Sequence, residues 1–330
     1  VQIKLAIVLL SITPLAFAEG TIEKLLGLPN IQKEIQCEHK FKLVSSAFKV
    51  KSEDKITCDD VSWIDTHLQK VQKISPISPK VNLEIFSRSD SASFDIGQTI
   101  SIPLALTFPN QWGTRYFGSP LEITPIIYHE YAHAIFTNLL GKKFYPNLKK
   151  DAKKLSKLKI ELQRAYANGN PAGIAQSHER RIKALIKNLK SNKDYKVYEM
   201  TTSYNELFAD LVAVLITKDK DCIMNALYYS EIDPQAYNRT KLRSFSNIDT
   251  QQDNRELYEK HAELALVRQF LGHEYLDQVF ESDVLKSDLL AKVLIAIETV
   301  IIQRIEKGDL GLNPKINNQV LIKEIKKILK

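Results

Sequence analysis

The sequence predicts an α+β protein that is mostly helical, and three observations carry that expectation. Alternating apolar residues mark two strands, one through Val81, Leu83 and Ile85 and one through Ile100, Ile102, Leu104 and Leu106. Apolar residues at helical spacing dominate the chain from residue 124 onward. No repeat of solenoid period runs through it. The 330 residues, 44% hydrophobic and 26% charged, suffice for one or two packed lobes and exclude a mainly disordered chain. Eleven Gly and twelve Pro exclude collagen-like or low-complexity character, and three Cys are too few for a disulfide scaffold.

The first eighteen residues differ from the rest. Lys4 precedes an apolar run over 5–10, and Ala16, Phe17 and Ala18 end the stretch. A charged start, a short apolar centre and an A-x-A end describe a cleavable signal peptide over 1–18. The mature protein is then expected to be exported, periplasmic or secreted, and to lack a transmembrane helix. The most apolar later stretch, 289–305, contains Lys292, Glu298 and Arg304. Export permits a Cys37–Cys58 disulfide, and two buried thiols are the equal alternative. Cys222 is left over, and no CxxC pair offers a thiolate zinc site.

Residues 19–75 read as a small N-terminal α+β region. A short helix over 21–35 is interrupted by Gly27 and Pro29, and 41–51 and 55–64 look strand-like. Pro76 and Pro79 punctuate the entry to the main domain, 76–330. The strand over 99–106 contains Pro103, which cannot donate to a ladder and so predicts a sheet edge. A helix follows over 124–140, with Thr124 as N-cap, Pro125 at its first position and Gly141 past its end. Ser119 and Pro120 offer a competing start, which would put Pro125 inside the helix. Residues 148–190 read as an inserted, Lys-rich helical hairpin divided at Gly169 and Pro171. A further helix spans 203–217. From 226 to 330 the pattern is mostly helical, with turns near Pro234 and between Gly311 and Pro314.

The sharpest chemical feature lies on the 124–140 helix, where His129, Glu130 and His133 form HExxH. Residues four apart share one helical face, so both imidazoles can reach one ion, and zinc accepts neutral imidazole nitrogen. Glu130 sits about 100° around the same turn, placed to take a proton from an attacking water and pass it to a leaving amine. The flanks, Ile126, Ile127, Ala134 and Ile135, are apolar, and polar groups among them are costly unless paired or ligated. A catalytic zinc ordinarily keeps a third protein ligand. Downstream, Glu206 and Asp210 lie four apart in NExxAD on another apolar helix. Glu206 can be that third ligand, and Asp210 can accept the far N–H of a ligating histidine. Ser203 and Glu206 also fit a capping box, in which Glu206 would bond only backbone.

HExxH followed by NExxAD resembles the gluzincins, the thermolysin-like zinc metallopeptidases. The resemblance implies a zincin-like fold: an edge-strand upper lobe, an active-site helix and a helical lower lobe. It implies one zinc ion held by His129, His133 and Glu206, with Glu130 as general base and Asp210 supporting a ligand. It further implies a peptide or protein substrate, and an edge strand over 99–106 where that substrate adds. Such enzymes use a downstream His or Tyr on the tetrahedral oxyanion, and Tyr237, His261 and His273 are all eligible. Seventy-two residues separate His133 from Glu206, and the basic hairpin fills most of that gap. The metzincin continuation of the motif is absent. The expected function is an exported zinc peptidase. The alternative is a non-catalytic zincin-like or envelope-binding protein acting through the hairpin.

The chain carries a net +7. Between Lys149 and Lys196 stand fourteen Lys/Arg and four Asp/Glu, a local +10. The excess therefore reports on the hairpin rather than the body. The hairpin is either a solvated face or a docking arm for an anionic envelope component or acidic partner. Nucleic acid is disfavoured, because Tyr166 and Tyr195 are nearly the only aromatics available for stacking there.

Overall fold

The computed structural model describes residues 33–34, 37, 50–52, 56–88, 92–95, 98–109, 115–117, 120–148, 150, 154, 172–227, 240–246, 256–311 and 313–330. The proposed signal peptide, Tyr237 and most of the hairpin's first arm lie outside them. The described residues form a mostly helical α+β structure. No helix among them is long and apolar enough to cross a membrane.

A five-stranded mixed sheet has the order β1-β2-β3-β5-β4: β1 (Lys33–Glu34), β2 (Val50–Ser52), β3 (Asn82–Phe86), β5 (Thr99–Pro103) and β4 (Ser93–Phe94). β2, β3 and β5 run parallel, with Leu83 opposite Ile100 and Ile85 opposite Ile102. All four of those side chains are buried, as the alternation predicts. β4 is antiparallel to β5 and forms the edge. The edge assignment for 99–106 is therefore wrong. Pro103 sits opposite Phe86, past the short stretch that β4 pairs, where a missing N–H costs the β4 ladder nothing. A separate hairpin joins β6 (Thr107–Pro109) to β7 (Arg115–Phe117).

The strand-like reading of 55–64 also fails, because α1 spans Cys58–Ile74. Thr57 and Asp60 make a reciprocal capping box. Val61, Ile64, Leu68 and Val71 recur at helical spacing and all are buried. Cys37 and Cys58 are bridged, which fastens the start of α1 to the chain beside β1. Closing a loop of this length stabilises a fold by about 3 kcal/mol in the chain-entropy account.

The next helix, α2, spans Pro120–Phe136, so the earlier start prevails and Pro125 lies inside it. Pro120 stands in the first turn, where a missing N–H is harmless, and only the carbonyl four residues before Pro125 loses its donor. The helix then passes into a π turn over Thr137–Gly141. The second arm expected of the hairpin is helical, α3 (Ala172–Ser191). It leads almost directly into α4 (Lys193–Thr217), which starts ten residues earlier than the spacing predicts. The packing of α2 against α4 forms the centre of the molecule. Behind them lie α5 (Ala265–Leu271), α6 (Asp283–Lys307) and α7 (Pro314–Ile328). Segment 240–246 is held tightly by Gly272, where a Cβ would fall 1.7 Å from the Phe245 carbonyl oxygen. Only glycine permits that approach.

Candidate metal centre

His129 and His133 project from one face of α2, with ring centroids 4.4 Å apart and planes nearly perpendicular. Together with Glu130 they offer ligand atoms that all lie within 4.8 Å of one another, a grouping able to hold a metal ion. All three residues are buried.

Helix α4 brings Glu206 and Asp210 to the same place. Glu206 Oε2 lies 3.4 Å from His129 Nε2, and its Oε1 lies 3.8 Å from His133 Nε2. Two ligands each about 2.1 Å from one tetrahedral ion would be about 3.4 Å apart, so this carboxylate stands where a third ligand is expected. Glu206 Oε2 is buried without a hydrogen-bond partner. A buried carboxylate with Oε2 beside one imidazole and Oε1 beside the other has the donor arrangement that a metal ion would take. The capping-box alternative for Glu206 is lost, because Ser203 sits in the third turn of α4 and its hydroxyl donates to Glu263 Oε2.

Each histidine is held by a partner on its other nitrogen. His129 Nδ1 lies 2.9 Å from Asp210 Oδ1, and His133 Nδ1 lies 2.9 Å from Asn205 Oδ1. Asn205 stands in NExxAD but carried no assigned role. Phe94 of β4 stacks on His133 at 6.3 Å, which sets the sheet edge beside the site.

Two arginines that no motif announces complete the cluster. Arg243 Nη2 donates to Asp210 Oδ1 at 2.6 Å and lies 3.6 Å from Glu206 Oε2. Arg268 donates through Nε and Nη2 to Asp210 Oδ2 at 2.9 and 2.7 Å. Asp210 and Arg268 are completely buried.

The three downstream candidates separate. His273 is exposed and pairs with neighbouring Glu274. Tyr237 falls outside the described residues. His261 faces the centre, with Nε2 3.4 Å from Glu206 Oε1 and Nδ1 2.5 Å from Glu259 Oε1.

Burial sets the charge states here. It pushes the Glu130 carboxyl up to about 7, helped by Glu206 and opposed by His129 and Arg243. Burial, with the neighbouring His129, lowers His133 to about 3, so it stands neutral as ligation requires. Burial would also lower His129, yet Asp210 hydrogen-bonded at Nδ1 and the Glu206 carboxylate beside Nε2 raise it to about 9. Burial would raise Asp210, but Arg243 and Arg268 hold it well below the usual carboxylate range. A metal must therefore displace a proton from His129 at any pH below about 9. Divalent-metal affinity is expected to fall about tenfold per pH unit lowered through that range, with one proton released per ion. Calorimetry in buffers of different ionisation enthalpy counts that proton, and a count of zero would contradict the assignment.

Comparison with protein-family models, with curated proteins and with solved structures finds no match for this chain.

Proposed function

We propose that the chain is a zinc-dependent peptidase of gluzincin type with a zincin-like fold. The observation that carries this reading is the approach of the buried Glu206 carboxylate to both histidines, one oxygen toward each. His129, His133 and Glu206 are the proposed ligands. Two imidazoles and a carboxylate would suit zinc. Bound there, zinc supplies Lewis acidity toward water and a substrate carbonyl.

The remaining steps belong to the protein. Glu130, poised near neutrality, accepts a proton from the attacking water and delivers it to the leaving amine. Glu259 orients the His261 ring from its Nδ1 side. With both ring nitrogens protonated, Nε2 can donate to the oxyanion as charge develops on the former carbonyl oxygen. Asp210 and Asn205 fix the two ligating rings. Edge strand β4, the last strand of the sheet among the described residues and stacked on His133 through Phe94, gives an extended peptide a strand to pair with beside the centre. Export of the mature chain, from its N-terminal pattern, is part of the same reading.

Glu206→Ala tests it. The variant is expected to lose zinc, measured as stoichiometry after gel filtration, together with hydrolysis of a mixed peptide library by the wild type. Unchanged zinc content, or a zinc-loaded wild type inert on every peptide, would overturn the proposal.

A further inference from the structure

Helix α3 carries a charged face that the metal centre does not use. Its twenty residues hold five Lys/Arg and a single carboxylate, Glu179. Glu179 is half-buried, whereas Arg180, Arg181, Lys183 and Lys187 are all exposed. Arg180, Lys183 and Lys187 follow one another at three- and four-residue steps, so they line one side of the helix over about 10 Å. Among the described residues none of these three is in an ion pair.

The opposite side of α3 is fastened down. Leu189 is buried, and the partly buried Ile182, Leu185 and Ile186 pack on the core. Burial of that side fixes which way the basic face looks. Only Asn192 separates α3 from α4, and its side chain caps α4 by accepting from the Asp194 N–H. Glu206 lies thirteen residues beyond Lys193 on α4, about 20 Å along its axis. Two consecutive helices therefore carry the basic face and a proposed metal ligand.

The character of the face selects its partner. Its other exposed positions are Gln176, Ser177, Ala184, Asn188 and Ser191, which are small or uncharged. Protein partners are recognised mainly through aromatic and arginine anchors seated in pockets, and single nucleic-acid strands through stacking on aromatic rings. A convex helix face with cations and no aromatic ring among its exposed side chains suits a partner whose negative charge is spread over a plane. Export, expected from the N-terminal pattern, brings the chain to a membrane surface and away from nucleic acid.

We propose that the Arg180, Lys183 and Lys187 face of α3 is a peripheral binding surface for the anionic headgroups of a lipid bilayer. The contact is electrostatic, since no large apolar group is among the exposed side chains described on that face. It holds α4, and with it the proposed metal centre, near the bilayer surface. The inference stands apart from the peptidase reading and does not depend on it.

The test sediments the mature chain, residues 19–330, with vesicles of phosphatidylcholine alone or mixed equally with phosphatidylglycerol. Each Lys or Arg at an anionic surface strengthens binding about fivefold, so three together should favour the anionic vesicles about 10²-fold at low salt. Near 1 M salt, where charges are screened within about 3 Å, the preference should vanish. Arg180→Gln, Lys183→Gln and Lys187→Gln combined should remove it as well. Glutamine matches lysine and arginine in helix propensity, and circular dichroism with zinc stoichiometry verifies that the fold persists. A control with the same change of net charge elsewhere, Lys315→Gln, Lys323→Gln and Lys330→Gln, should bind like wild type. Equal binding to both kinds of vesicle, a triple α3 variant that binds like wild type, or a control that loses as much as that variant would overturn the proposal. So would a wild type retained by duplex DNA or by an acidic protein and not by anionic vesicles.

Discussion

Glu130→Gln should abolish peptide hydrolysis, lowering kcat about 10³-fold, and leave the metal in place. Glutamine keeps the shape and the hydrogen-bonding reach of the side chain but cannot take up a proton. General acid–base catalysis contributes about 10²–10⁴-fold, and one residue here serves both the attack and the departure. Burial already raises the Glu130 carboxyl to about 7, so it can be a base toward water and an acid toward an amine within one cycle. His129, His133 and Glu206 are untouched, so zinc stoichiometry should stay at one ion. The same carboxyl shapes the pH profile. As pH falls through its value the base becomes protonated, so wild-type kcat/KM should drop on the acid side, and a bound dication moves that limb lower. The residual rate of the variant should lack the limb. Single-turnover cleavage with parallel metal analysis decides the matter, and a variant of full activity would exclude Glu130 as the base.

The parts of the site legible in the sequence are those that lie at fixed helical spacing. His129 and His133 share a face because both stand on one helix, and so do Glu206 and Asp210. Local geometry determines these pairs, whatever the rest of the chain does. The joining of the two helices was readable only by resemblance, and the structure places them against one another. Arg243 and Arg268 were illegible for the opposite reason. They reach Asp210 from segments 33 and 58 residues away in the chain, and an isolated arginine has no pattern. His261 was one candidate of three, and the pairing with Glu259 that distinguishes it lies within two residues but belongs to no named motif.

The errors in the fold have physical causes. Pro103 suggested a sheet edge because proline lacks a donor, yet a two-residue neighbour leaves most of β5 unpaired on that side. Pro125 suggested a helix start, but tertiary burial of α2 overrides the loss of one backbone hydrogen bond. Ser203 suggested a cap because Ser-x-x-Glu is ambiguous between a helix start and a polar contact inside a longer helix. Here it makes the contact, with Glu263, which Asn317 of α7 also reaches.

Asp210→Ala should be the most damaging single change, for stability and metal binding together. The carboxylate accepts from Arg243 and Arg268 with both oxygens and holds His129 through Nδ1, and all four residues are buried. Removing it leaves Arg268 buried without its carboxylate and Arg243 with only the more distant Glu206, 3.6 Å away. Breaking a buried ion pair costs about 3–5 kcal/mol, and two cations sharing one lost partner place this site at the upper end. Arg268 has little reserve, because its Nη1 is already buried without a partner. Loss of the carboxylate that orients a ligating histidine costs a further 10–100-fold in metal affinity. A double variant separates the two effects. Arg268→Met in the Asp210→Ala background should recover part of the unfolding free energy, since it removes one stranded cation, but none of the metal affinity, since His129 still lacks its acceptor. The pH dependence gives an independent check. The Asp210 carboxyl is held well below its ordinary value, so its contribution is present above the unfolded-state value of about 4 and is lost as pH falls toward the folded one. Wild-type stability should therefore fall more steeply than that of the variant below about pH 4. Urea unfolding from pH 7 to pH 2 measures both, and a variant within about 1 kcal/mol of wild type at pH 7 would show that the arginines find other partners.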